Sequence, residues 1–91
     1  MDTLEQLSAL RAEALSERDP TVSDDVLAVL LREAGRFPKA HILEVGTGRG
    51  LTAVAFLLAG AAHVTTLERD EGRIAAARAN FAAFGVSDRV T

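Results

Sequence analysis

The chain has 91 residues, 48% of them hydrophobic and 25% charged, with a formal net charge of −3 and no cysteine. That length allows one domain at most, with a thin margin of buried surface. The missing cysteines exclude disulfides and thiolate metal sites and suit a reducing, cytoplasmic setting; the acidic balance gives no reason to expect a nucleic-acid backbone as the main ligand.

Alanine is abundant and aromatics are few, four Phe with no Trp or Tyr, which favours helices with small, close-packed faces. The opening "MDTLEQLSAL" is acidic and amphipathic, unlike a basic region followed by an apolar block, so it does not read as a signal peptide. The longest apolar stretch, "LTAVAFLLAGAA", has 12 residues. A membrane span needs roughly 20, so this stretch is expected as a buried helix and no membrane partner is expected.

Residues 3 to 17 read as a helix. Leu4, Leu7, Leu10, Ala14 and Leu15 share one face, and Thr3 with Gln6 has capping-box spacing. "RDPTVSDD" connects to a second helix, with Ser23 as N-cap and Asp24 and Asp25 in the first turn. Its apolar face is Val26, Leu27, Leu30, Leu31 and Ala34, and Gly35 is its stop. After the turn "RFPK" comes "HILEV", a short apolar run without alternation, as expected of a parallel strand covered on both faces.

A glycine loop follows, and then "GLTAVAFLLA", apolar nearly all round, a helix packed on several sides. "HVTTLE" reads as a second strand. Asp70 then caps a helix with Ile74, Ala77, Phe81 and Phe84 in one stripe, ending at Gly85. "VSDRVT" reads as a loop and the first step of a third strand. Strands alternating with helices of this length make right-handed βαβ units and a parallel sheet. The expected fold is therefore α/β, the N-terminal part of a doubly wound, Rossmann-like sheet preceded by two helices, and incomplete.

The chemistry is concentrated in "HILEVGTGRGLTA". Gly46, Gly48 and Gly50 lie between a strand and a helix, where a backbone without Cβ atoms can approach a ligand closely. The helix behind them offers unpaired N–H groups and a partial positive charge to polar or anionic groups. The plainer reading is a tight turn with glycines for steric reasons alone. A dinucleotide fingerprint is G-x-G-x-x-G; here the third glycine comes one residue early and position 51 is Leu, so NAD binding is disfavoured. Glu44, two residues ahead of the first glycine, suits a ligand group carrying positive charge better than a pyrophosphate.

Glu68 ends the second strand, 18 residues after Gly50. In an open parallel sheet the carboxyl ends of adjacent strands share one ligand crevice, and an acidic group there can accept from both ribose hydroxyls. Alone it would be an exposed strand-end carboxylate; with the loop, it favours a nucleoside ligand.

"ILEVGTGRG" followed by "VTTLERDEGRIAAARANFAAFGVSDRV" resembles the first half of a class I S-adenosylmethionine-dependent methyltransferase, most closely the small O-methyltransferases of the catechol and caffeoyl-CoA type. On that resemblance residues 1–19 are an N-terminal helix and 20–91 the first half of the cofactor domain. The resemblance implies that Glu44 and the loop from Gly46 through Thr47 and Gly48 to Gly50 hold the amino-acid end of S-adenosylmethionine. It implies that Glu68 binds the ribose and that Arg69 lies beside the adenine, where an apolar residue is common. Thr21 and Ser23 are weaker candidates near the cofactor carboxylate, with helix-start roles as their plainer reading.

The acceptor implied is a small hydroxyl-bearing molecule. Mg²⁺ would be held in the complete protein by carboxylates from later strands, so the catalytic base and metal ligands are not among these 91 residues. The isolated chain is expected to be inactive, a fragment or truncated product, and as a stable protein to form a homodimer or swapped assembly. The alternative is a non-catalytic nucleoside-binding or assembly module. His41 and His63 open the two strands, away from the crevice, and read as surface or capping residues. Asp24 and Asp25 lack a metal-loop pattern, and Arg69, Arg73 and Arg78 read as a solvated face or a modest basic patch. Arg49 is expected to be exposed at the loop.

Overall fold

The computed structural model describes residues 3–16 and 24–91, with side chains described over 5–12 and 25–91. The element order is α1 (Thr3–Ser16), α2 (Asp24–Ala34), β1 (His41–Val45), α3 (Leu51–Leu58), β2 (His63–Leu67) and α4 (Glu71–Ala83), then a short 3-10 turn over Ser87–Arg89. The α/β expectation holds. Thr21, Ser23 and the side chains of Thr3, Leu4, Ala14, Leu15 and Asp24 lie outside the described residues.

The two strands pair in parallel and in register, His41 with His63, Ile42 with Val64, Leu43 with Thr65, Glu44 with Thr66 and Val45 with Leu67. Val90 bridges Val64 in parallel, and the Thr91 amide donates to the Val64 carbonyl at 2.9 Å. Val90 and Thr91 thus lie alongside β2, and a 3-10 turn occupies much of what read as loop.

One hydrophobic core joins the helices to one face of this sheet. Leu7 and Leu10 of α1, Leu27 of α2, Leu51, Ala53, Val54, Ala55 and Leu57 of α3, Val64 of β2, Ala77 and Phe81 of α4, and the loop residues Ala61 and Val86 form it. Each large aliphatic side chain removed from water there contributes roughly 1.5–3 kcal/mol. α3 touches α1, α2 and β2, which explains a helix apolar on nearly every side. The guanidinium of Arg89 donates to the carbonyls of Ala61 (3.4 Å) and Leu57 (3.5 Å), a cation at the negative end of α3.

Two expectations need correction. β1 was read as covered on both faces, yet its burial alternates: Ile42 and Glu44 are half-buried while Leu43 and Val45 are exposed. The pleat sends alternate side chains to opposite faces, and the described helices pack on the Ile42 and Val64 side only. On α2, Val26 belongs to the exposed side, because the turn that buries Leu27 completely rotates its neighbour into solvent.

Candidate functional site

The carboxyl end of β1 runs into a loop that reaches across to the end of β2. The amides of Gly46 and Thr47 both donate to the Leu67 carbonyl, at 2.8 and 3.2 Å, and the Gly50 amide donates to the Thr47 carbonyl at 3.0 Å. These bonds fold the loop back over the end of its neighbouring strand. Asp70 then starts α4 by accepting the Arg73 amide at 2.8 Å, which fixes the direction of the chain just after Glu68.

The three glycines take positive φ for different surroundings. A Cβ on Gly46 or Gly48 would meet nothing within 4 Å, so the backbone there faces open space. A Cβ on Gly50 would come to 2.6 Å from Cε1 of Phe81. Gly50 is the N-cap of α3, at φ 90°, and it lets α4 pack its ring against the helix start. Gly46 and Gly48 thus border open space, whereas Gly50 is required by packing against Phe81.

Glu68 stands one residue beyond β2. Its Oε1 accepts the Gly48 amide at 2.9 Å, and its Oε2 accepts the amides of Arg69 and Asp70, each at 3.1 Å. The bonds from Gly48 and Asp70 lead the causes that hold this carboxyl below the usual carboxylate range, with help from the Arg69 amide and the charge of Arg73. The group is thus firmly ionised at neutral pH. A crevice of about 420 Å³ over the strand ends is lined by Val45, Gly46, Leu67, Glu68 and Arg69. Arg69 is exposed on its rim.

Glu44 lies beneath the loop. Its in-register neighbour Thr66 donates a hydroxyl hydrogen bond to Oε1 at 2.7 Å, and the Thr66 and Thr47 hydroxyls are 2.6 Å apart. Burial raises the Glu44 carboxyl above its ordinary value, partly offset by the Thr66 bond. Neither Thr66 nor Asn80, whose side-chain amide donates to the Arg49 carbonyl at 2.8 Å, was singled out from the sequence. The register of β1 on β2 carries the signal for Thr66, since paired residues of parallel strands share a face. Arg49 is half-buried, not exposed as expected, because that carbonyl contact draws the loop against α4.

His41 and His63 stack at 6.3 Å between ring centroids, and His63 Nε2 lies 2.7 Å from Oγ1 of Thr91. They sit at the amino ends of the strands, away from the crevice, as expected. Asp25 is exposed, and among the described residues no group of three or more His, Cys, Asp or Glu could hold a metal. No described helix is long and apolar enough to cross a membrane.

A parallel βαβ unit with a glycine loop ahead of α3 and an acidic residue just past β2 defines the N-terminal part of a class I methyltransferase fold. The chain is similar over 99% of its length to a Staphylococcus aureus protein assigned as a caffeoyl-CoA O-methyltransferase (28% identity, TM-score 0.85, 42% of that chain). It is similar over its whole length to the SAH-bound methyltransferase of Podospora anserina (30% identity, TM-score 0.83, 40% of that chain). A third similar structure is the Bacillus cereus O-methyltransferase in complex with SAH (28% identity, TM-score 0.76, 99% of this chain and 42% of that one). The sequence profile described as ribosomal protein L11 methyltransferase (PrmA) matches residues 26–91, and the chain belongs to that family. No match to a curated protein was found. The chain spans about two fifths of the length of these solved relatives.

Proposed function

We propose that this chain is the cofactor-binding part of an S-adenosylmethionine-dependent methyltransferase that acts on a hydroxyl group of a small molecule. The observation that carries the reading is the Gly48–Glu68 hydrogen bond, which closes the glycine loop onto the strand-end carboxylate at one crevice. Open space over Gly46 and Gly48, with an ionised acceptor beside it, fits a ligand with an ammonium-bearing end and a ribose. Gly46, Thr47 and Gly48 would hold the amino-acid end, with Glu44 and Gly50 shaping the loop from below and behind. Glu68 would accept ribose hydroxyls and Arg69 would lie beside the adenine. When bound, the cofactor supplies an electrophilic methyl group on a sulfonium centre.

The role of these residues is to bind and orient; alignment of acceptor and methyl group is the main requirement of such a transfer. The base that deprotonates the acceptor, and Mg²⁺ where it is used, belong to the complete protein, and the chain alone is proposed to be inactive. Support for a hydroxyl acceptor comes from two O-methyltransferase relatives at 28% identity. The family description, which names a ribosomal protein, favours a protein acceptor as the second reading. A phenol and ribosomal protein L11 offered to the complete protein, with methylated products resolved by mass spectrometry, separate the two.

The outer edge of β1, unpaired among the described residues, and the exposed Leu43, Val45 and Leu67 support a second copy of this chain as partner. The direct test of the cofactor reading is calorimetric titration of the 91-residue chain with S-adenosylhomocysteine and with NADH. Binding of the first without the second is expected; NADH affinity with none for the homocysteine compound would sink it.

A further inference from the structure

We infer that Thr66 is a positioning residue of the ligand site, the link through which Glu44 sets the glycine loop, so that Glu44 acts on the ligand through two hydroxyls. The inference rests on the cofactor reading above for what the loop receives. Its own basis is the geometry beneath the loop.

A threonine hydroxyl has one hydrogen to give. Thr66 gives its hydrogen to Oε1 of Glu44, so the 2.6 Å contact with Thr47 is made by the Thr47 hydrogen, directed onto Oγ1 of Thr66. The result is a one-way chain from Thr47 through Thr66 to the Glu44 carboxylate. A carboxylate at its end polarises each hydroxyl, and hydrogen bonds in series strengthen one another.

Thr47 is the hub of the loop. Besides its hydroxyl bond to Thr66, its amide donates to Leu67 and its carbonyl accepts the Gly50 amide. It is also the buried polar residue of the core region, 8% exposed, between the two glycines that face open space. With all three of its polar groups committed, the peptide planes on either side are set, including the Gly48 amide that meets Glu68. Removing the Thr66 hydroxyl leaves the buried Thr47 hydroxyl without its acceptor and the half-buried Glu44 carboxylate without its donor. Such a loss costs more than the bond itself is worth. The loop, held at Thr47 by these bonds, is where the structure would give way.

The sequence reading placed Glu44 against the amino-acid end of the ligand. The bond from Thr66 occupies Oε1 on the inner side of the loop, and the face that Glu44 shares with Thr66, Ile42 and Val64 is the one the helices cover. Positioning from beneath is therefore the role its place in the sheet supports.

The test uses the 91-residue chain with Thr66→Val, which keeps the shape and removes the hydroxyl, and Thr66→Ser, which restores it. S-adenosylhomocysteine affinity is measured by calorimetry, and amide exchange at Gly46, Thr47 and Gly48 by NMR without ligand. Thr66→Val is expected to weaken binding about tenfold and to speed exchange at those three amides, and Thr66→Ser to recover both. Wild-type exchange in Thr66→Val, or a Thr66→Ser variant as impaired as Thr66→Val, would overturn the inference. Should Thr66→Val fail to fold, Thr47→Val removes the same hydrogen bond from the other side and is judged by the same exchange at Gly46 and Gly48. A wild-type chain that binds no homocysteine compound, yet loses loop protection in Thr66→Val, refutes the cofactor reading and leaves the positioning role standing. Binding by wild type and an unchanged Thr66→Val does the reverse.

Discussion

Oε1 of Glu68 accepts the amide of Gly48 at 2.9 Å, and its partner oxygen already takes the amides of Arg69 and Asp70. A carboxylate offers about four lone-pair positions, so three are in use before any ligand arrives. A pair of ribose hydroxyls cannot both bind without one amide sharing or releasing its acceptor. The prediction is that S-adenosylhomocysteine shifts the amide resonance of Gly48, Asp70 or both. Glu68→Ala should weaken affinity by at least tenfold, the scale of a lost charge-assisted pair. Unmoved amides at saturating ligand would count against Glu68 as the ribose acceptor.

The glycines should respond differently to alanine. At Gly48 the only penalty is a Cβ in left-handed backbone, about 1 kcal/mol, and the space beyond is open. Thermal stability should fall by only about 4–8 °C, while affinity for the homocysteine compound drops sharply. At Gly50 the same strain adds to a collision with Phe81 at 2.6 Å, for a total of about 3 kcal/mol. The second variant Gly50→Ala with Phe81→Leu should recover the collision part and leave the backbone part, a coupling that a double-mutant cycle reads. Equal losses at Gly48 and Gly50 would show that the division of roles is wrong.

The strand, loop, helix and acidic strand end were legible because each rests on local chemistry: β-branched runs, glycines, the Asp70 cap and a carboxylate at a fixed place. What was not legible depends on register and on which face is covered. Thr66 looked like any strand threonine until its pairing with Glu44 put both beneath Thr47. Gly50 looked like its two neighbours until α4 placed Phe81 against it. The uncovered Leu43 face followed from packing that no short window of sequence contains.

The two carboxylates shift in opposite directions and should give opposite limbs in a stability profile. Glu68 has a lowered folded value, so its contribution is full above the unfolded carboxyl value of about 4.3. It is lost as pH falls through the lowered value. Glu44 has a raised folded value, so its penalty is absent in acid and grows as pH rises from the unfolded value through the raised one. Urea midpoints measured from about pH 3 to pH 7 should show Glu68→Gln flattening the acid limb. Glu44→Gln, which keeps an acceptor for Thr66 and removes a buried charge, should flatten the upper limb and raise the midpoint at neutral pH. A lowered midpoint in Glu44→Gln would mean that the charge itself stabilises the fold.

The described helices leave one face of the sheet bare. Leu43, Val45 and Leu67 are 69%, 80% and 53% exposed, and their side chains alternate away from the core along paired strands. β1 has no described partner on its outer side, since β2 and Val90 extend the sheet the other way. An apolar surface beside an open strand edge favours pairing with another chain. Sedimentation of the 91-residue chain should therefore show association that grows with concentration. Leu43→Lys places a charge at the centre of that face and should shift the population toward monomer. Val29→Lys, on the exposed side of α2, provides the control, because it adds the same charge to an apolar site 46% exposed without touching the sheet. A monomer at every concentration with one cooperative unfolding transition would show that this face needs no second copy.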